Sequence, residues 1–295
     1  MLDIFISTET LVKDTLQLCT TLRTKIPEFD YVLFIPRGGC LPASIIASIF
    51  GKPLSTPDLF IEGKCWMSSS ISVDNRRDLY NERRYVTCCP IDGKVLLVDD
   101  ISYNTLGELE RSKRIINAKF PSVVCSKVPI YVVERTKKLN DLYYKEISMS
   151  HWFEKDLMTR NSQGVIGYDM DGVLCEDWHG FEKEGTDEYT KFLSEATPYL
   201  IPHYRIDYVI TCRLEQYRQV TEEWLKIHHV KYKRLIMHPA TSKFTRGSHS
   251  EFKIKMIKTY MPNGIFIESS LNQSKEIKEG AGIQVICIEN KELMK

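Results

Sequence analysis

Short apolar runs that end on a glycine turn or on paired acids recur along this chain. Residues 31–35 read Tyr-Val-Leu-Phe-Ile, followed by Pro36-Arg37-Gly38-Gly39 and the small-residue helical stretch 40–50. Residues 95–98 read Val-Leu-Leu-Val and end on Asp99-Asp100, before a loop at 101–107 and a helical stretch at 108–117. Residues 165–168 read Val-Ile-Gly-Tyr and end on Asp169-Met-Asp171-Gly172. Uninterrupted apolar runs of this length predict strands buried on both faces of a parallel sheet. Further strands are predicted near 128–133, at 208–211 and at 264–268. An amphipathic helix is predicted at 8–25, starting near Ser7, and helical stretches at 216–225 and around 252–258.

The pattern predicts an α/β protein of two domains, each a mainly parallel sheet flanked by helices. At 295 residues the chain exceeds one average domain. The expected division is 1–155, a polar linker at 156–164, and 165–295. Apolar residues make up 43%, enough for two ordinary cores. Forty basic against thirty-nine acidic residues argue against a nucleic-acid or membrane footprint over the whole chain. Nine cysteines without a Cys-x-x-Cys pair suggest neither a zinc site nor a thioredoxin motif. The odd count fits reduced thiols and a cytoplasmic protein. Homo-oligomerisation is left open by the sequence.

The carboxylates of Asp169 and Asp171 point the same way from a strand end. Like charges that close call for a cation or a shared proton. A hard cation such as Mg²⁺ meets that need, and a strand-end carboxylate can also act as a nucleophile. Three later segments add to this. Tyr208-Val-Ile-Thr211-Cys-Arg213 ends a strand on a hydroxyl, Lys253 opens a helical stretch, and Gly264-Ile-Phe-Ile-Glu268-Ser269-Ser270 ends a strand on an acid. Taken singly, the Thr reads as a turn residue and the Lys as a solvated charge.

In their order and strand-end placement, these motifs resemble the haloacid-dehalogenase-like phosphohydrolases from about residue 163 onward. The resemblance implies that Asp169 is the nucleophile and Asp171 the general acid/base. It implies that Thr211 binds a phosphoryl oxygen and that Lys253 neutralises charge, with Lys255 as its rival. Mg²⁺ would be held by Asp169, Asp171 and Glu268. The fourth motif carries one acid, with Ser269 in place of a second. The short stretch between Asp171 and Tyr208 leaves little room for a cap domain. The basic stretch 231–249 is a solvated face or an aid to holding an anionic substrate.

The Pro36-Arg37-Gly38-Gly39 turn and the Val-Leu-Leu-Val-Asp99-Asp100 strand resemble the type I phosphoribosyltransferases, over roughly residues 1–155. The turn is similar to the pyrophosphate loop of the xanthine/guanine branch. The strand is similar to the start of the signature for phosphoribosyl pyrophosphate (PRPP). The resemblance implies pyrophosphate at Arg37, Gly38 and Gly39, and ribose hydroxyls at Asp99 and Asp100. The 5′-phosphate would lie at Asn104, Thr105, Gly107 and the helix start. Here Thr105 stands where a Gly is expected, and Gly107 where a Thr is. Trp152, beside Phe153, would stack on a base or else close a core. Arg76, Arg77, Arg83 and Arg84 lie where the family has a mobile flap, and as surface charges they need no ligand.

The expected function is therefore bifunctional ribose-phosphate or nucleotide metabolism. Mg²⁺-dependent hydrolysis of a phosphate monoester in the second half would join PRPP or nucleotide binding, and phosphoribosyl transfer, in the first. The alternative is a phosphatase regulated by a non-catalytic nucleotide sensor, suggested by the altered loop after Asp100. A scaffold with two degenerate sites is a third reading.

Overall fold

The structure, a computed structural model, describes residues 2–66, 86–87, 93–159, 164–180 and 183–294. The four arginines at 76, 77, 83 and 84, the pair Cys88-Cys89 and part of the expected linker lie outside the described residues. The chain divides into two compact units, Thr8–Met149 and Met1–Ser7 with Ser150–Lys295. Both are α/β.

The Thr8–Met149 unit is built on a five-stranded parallel sheet. Its order is Leu54–Ser55, Tyr31–Phe34, Gly93–Ser102, Val123–Val132, Lys145–Glu146. Leu96, Leu97 and Val98 are consecutive and all buried, so both faces of this sheet are covered. One face carries Leu33, Val95 and Leu97 under Phe60, Leu109 and Ile116 of the helices Pro57–Ile61 and Glu108–Lys119. The helix Thr8–Lys25 buries Leu11, Leu18 and Leu22 and packs on the helix Cys40–Phe50. Its observed start at Thr8 is the one expected.

The strand predicted at 95–98 is longer than expected. It runs on to Ser102, still paired with the Val123–Val132 strand (Ile101 with Tyr131, Ser102 with Val132). On the other side its neighbour stops at Phe34, opposite Val98. Asp99 and Asp100 thus stand just past the end of one neighbouring strand and alongside the other.

The second unit has a six-stranded sheet. Its order is Tyr232–His238, Ile206–Leu214, Ile166–Tyr168, Ile265–Glu268, Gln284–Cys287, Glu292–Met294. Only the last strand is antiparallel. The strand Ile4–Ile6 also belongs to this unit, paired in parallel with His151–Phe153. Leu2 donates from its backbone to Oε1 of Gln284 at 2.8 Å, and the Gln284 amide donates back to the Leu2 carbonyl. The sequence-based boundaries, 1–155 and 165–295, differ from these units at both ends of the first segment. The cause is long-range pairing: residues 4–6 and 151–153 form their own ladder, which packs with the second sheet.

Trp152 lies in that ladder. It is 1% exposed, in a core shared with Leu2, Leu157, Ile166 and Trp224. Of the two readings of Trp152, stacking on a base or closing a core, its burial here matches the second.

Among the described residues, Cys19, Cys40, Cys125, Cys175, Cys212 and Cys287 are free thiols. Among the described residues no helix is long and apolar enough to cross a membrane.

Candidate functional site

Numbered along the chain within each sheet, the strand orders are 2-1-3-4-5 in the first unit and 3-2-1-4-5-6 in the second. Both are doubly wound orders, in which ligands bind outside the carboxyl ends of the strands where the winding reverses. In the second unit the reversal lies between Ile166–Tyr168 and Ile265–Glu268. Asp169 follows the first of these strands and Glu268 ends the second. Tyr168 is in register with Ile267, and the amide of Asp169 donates to the Ile267 carbonyl at 2.9 Å.

Lys253 sits between the two acids. Its Nζ donates to Oδ2 of Asp169 at 2.7 Å, to Oε2 of Glu268 at 2.6 Å and to Oε1 of Gln273 at 3.0 Å. Lys253 lies on the helix His249–Tyr260, which Ser248 caps by accepting from the Glu251 amide. Two residues apart on a helix cannot face the same way. Lys253 is accordingly buried, while its rival Lys255 is exposed. The second oxygens are held too. Oδ1 of Asp169 accepts from the Met170 amide, and Oε1 of Glu268 from the amides of Ser269 and Ser270.

Gly172 lets the chain turn after Asp171. Its φ is +76°, and a Cβ there would stand 2.5 Å from Oγ of Ser269. Asp171 meets a residue to which the sequence assigns no role. Arg213, fully buried, donates from Nη2 to Oδ1 at 2.6 Å and from Nε to both carboxylate oxygens at 3.0 and 3.1 Å. Arg213 also reaches Sγ of Cys175 and Oγ1 of Thr221. Its strand shifts register between Ile210 and Leu214, which re-aims the Thr211-Cys212-Arg213 side chains. As a result the hydroxyl of Thr211 is buried and accepts from the Arg213 amide at 3.2 Å, while Cys212 and Arg213 form the cavity wall. Thr211, expected to bind a phosphoryl oxygen, has its hydroxyl buried against the Arg213 amide.

These residues open onto a cavity of about 330 Å³. Its outer wall contains a buried ion pair that the sequence did not reveal. Arg246 donates to both oxygens of Glu184, at 2.7 and 2.9 Å, and to the Cys212 carbonyl at 3.2 Å. His249 also lines the cavity. Burial, with Arg246 and Lys253 nearby, pushes its imidazole down to about 4, so it is neutral at pH 7. Burial drives the Asp169 carboxyl well up; Lys253 opposes this, and Glu268 and Asp171 reinforce it. Burial also works against the Lys253 ammonium, but the two carboxylates outweigh it and hold the proton there.

Arg213 pairs with Asp171 and Arg246 with Glu184, which leaves Asp169 and Glu268 facing one lysine. A divalent ion answers that charge, and the donors are all hard oxygens. Because Arg213 occupies the Asp171 carboxylate, Asp171 offers its backbone carbonyl, which accepts from the Ser269 hydroxyl at 3.3 Å. Among the described residues no three His, Cys, Asp or Glu side chains are grouped to hold a metal. Asp169, Glu268 and the Asp171 carbonyl are the oxygen donors that would hold a Mg²⁺ ion.

In the first unit the reversal lies between Tyr31–Phe34 and Gly93–Ser102. There the Arg37-Gly38-Gly39 turn meets Asp99 and Asp100. A Cβ on Gly38 would stand 2.4 Å from Oδ1 of Asp100 and 2.8 Å from Oδ1 of Asp99; one on Gly39 would stand 2.2 Å from the Val98 carbonyl. Only glycine permits this approach. Arg37 is exposed beside the turn, and Asp100 is buried. The loop beyond is open, with Leu106 72% exposed. Asn104 accepts from Leu106 through Oδ1 and from Gly107 through its carbonyl, and Arg135 donates to the Tyr103 carbonyl at 2.8 Å. The helix that follows is capped by Gly107 without a side-chain bond, and its first turn carries Glu108 and Glu110. Those charges oppose an anion at this helix start, although Glu108 is paired with Arg111 and Glu110 with Lys127 and Arg114.

The sequence matches no protein-family model and no curated protein. Solved structures similar to it include a Helicobacter pylori xanthine-guanine-hypoxanthine phosphoribosyltransferase, at 16% identity and a TM-score of 0.35, covering 50% of this chain and 90% of that one. A purine phosphoribosyltransferase from Pyrococcus horikoshii aligns at 16% identity and a TM-score of 0.34, over 51% and 89%. An adenine phosphoribosyltransferase from Thermoanaerobacter pseudethanolicus aligns at 14% and 0.31, over 47% and 81%.

Proposed function

We propose that the second unit hydrolyses phosphate monoesters through a covalent aspartyl-phosphate, as its likeness to the haloacid-dehalogenase-like phosphohydrolases implies. The observation that carries this reading is the contact of Asp169, Lys253 and Glu268 at the sheet's reversal point, beside Asp171 and an open cavity. A carboxylate oxygen of Asp169 attacks phosphorus as the bond to the leaving oxygen breaks. Asp171, entering the step in its protonated form, delivers that proton to the leaving oxygen. Asp171 then takes a proton from water, the water oxygen attacks phosphorus, and the bond to Asp169 breaks to release inorganic phosphate. Lys253 balances charge on Asp169 and the phosphoryl group, Arg213 orients Asp171, and Thr211 orients Arg213. Asp169, Glu268 and the Asp171 carbonyl would hold Mg²⁺, which when bound supplies Lewis-acid neutralisation of the phosphoryl oxygens.

The first unit, in this reading, binds PRPP or a nucleotide through Arg37, Gly38, Gly39, Asp99 and Asp100, with Asn104, Thr105 and Gly107 at the 5′-phosphate. Phosphoribosyl transfer there is the fuller version of the reading. The open 103–106 loop and the acids of the following helix favour a second version, in which this unit senses a nucleotide and regulates the phosphatase. Pyrophosphate release from PRPP with any base separates the two. For the phosphatase, the test is phosphate release across nucleotides and sugar phosphates, with and without Mg²⁺. Release that needs Mg²⁺ and disappears in Asp169→Asn supports the reading; release that Asp169→Asn leaves within about tenfold of wild type overturns it.

A further inference from the structure

The cavity holds more than a phosphoryl group. Its volume, about 330 Å³, falls at the lower end of pockets that enclose a whole small ligand. Its floor is charged: Asp169, Asp171, Arg213 and Lys253. Its side wall is different. Trp178, in the loop that follows Asp171, lines the cavity with a half-buried indole.

That indole packs against two aromatic rings. Its ring centroid lies 4.9 Å from Phe192 and 5.4 Å from Tyr189, both on the helix Asp187–Glu195. Tyr189 is braced in turn by Tyr217 at 5.2 Å. The indole Nε1 donates to the Gly180 carbonyl at 2.6 Å, and a Cβ on Gly180 would stand 2.7 Å from the ring. Thr186 caps the supporting helix by accepting from the Tyr189 amide. Core packing accounts for Tyr189, which is buried. It does not account for the surface of Trp178 that faces the cavity. Apolar surface left in water is unfavourable, and a flat ring laid against it removes that surface from water.

We infer that the substrate is a phosphate monoester whose leaving alcohol carries a flat aromatic ring that stacks on Trp178, as in a nucleoside monophosphate. The inference rests on the phosphatase reading of the same cavity and adds the class of its leaving group. Gln273, Ser270 and Asp177 also line the cavity and supply polar groups for the edges of a base or sugar. Trp178 acts here in binding and does not touch the reacting atoms.

The test compares kcat/KM for nucleoside 5′- and 3′-monophosphates, phenyl phosphate, ribose 5-phosphate and glycerol phosphate. Wild-type protein is expected to favour the ring-bearing esters over the last two by roughly tenfold or more, the scale of one base–aromatic stack. Trp178→Ala is expected to erase most of that preference. Trp178→Phe is expected to keep it, and Trp178→Leu, which fills the space without a π face, to lose it. Nucleotides ahead of phenyl phosphate identify a nucleotidase; the reverse order identifies an aryl ester as the ring source. Equal turnover of all esters, or a preference that survives in Trp178→Leu, overturns the inference and leaves the phosphatase reading standing. Absence of release from every ester overturns both.

Discussion

Lys253 donates to Asp169 at 2.7 Å across 84 positions of sequence, and the same ammonium meets Glu268 at 2.6 Å. One buried cation thus ties the ends of two adjacent strands. Removing it would leave two carboxylates buried without their partner. Lys253→Met is expected to lower unfolding stability by about 3–5 kcal/mol, read from urea denaturation, and to abolish phosphate release. A variant as stable as wild type would mean that the three groups are not an ion cluster in solution.

Trp152 gives a test that separates core from site. Trp152→Ala is expected to cost about 3–5 kcal/mol of stability, the usual penalty for emptying a large aromatic site. Affinity for PRPP or a nucleoside monophosphate, measured by calorimetry on the folded variant, is expected to stay at the wild-type value. A selective loss of affinity with little loss of stability would return Trp152 to the binding site.

His249 gives the second unit an acid-side slope. Its imidazole stays neutral in the folded state down to about 4, while in the unfolded chain it protonates near 6.5. Between those values the unfolded state holds more protons, so stability is full above 6.5 and falls as pH drops towards 4. The loss is at most about 3 kcal/mol. Urea midpoints across this range are expected to fall less steeply in His249→Gln than in wild type. Identical slopes would mean that His249 is solvated.

The motifs of the two sites are legible in the sequence because each is local. A strand that ends in Asp169 and Asp171, or in Asp99 and Asp100, announces itself within ten residues. Helix geometry likewise bears on Lys253 against Lys255. What is not legible depends on distant partners. Nothing near Arg213 marks it as the residue that grips Asp171, and nothing near Glu184 marks Arg246 as its pair, 62 positions away. The ladder of residues 4–6 with 151–153 is hidden for the same reason, and with it the burial of Trp152. Thr211 reads as a strand-end hydroxyl because a register shift has no signature in the sequence.

Asp99 and Asp100 test the first unit. PRPP or a nucleoside monophosphate is expected to raise the melting temperature, since a ligand that binds the native state stabilises it. The double change Asp99→Asn with Asp100→Asn is expected to shrink that shift and to leave phosphate release from the second unit intact. Calorimetry that finds no binding at millimolar ligand would remove both the transferase and the sensor versions.

The central claim is the covalent bond between Asp169 and phosphorus, and it can be trapped. Borohydride added during turnover reduces an aspartyl-phosphate to homoserine, which peptide mass spectrometry locates. The account expects homoserine at position 169, formed only with substrate present, and none at Asp171. Phosphate release with position 169 unmodified and the reducing agent active on a known acyl phosphate would contradict it.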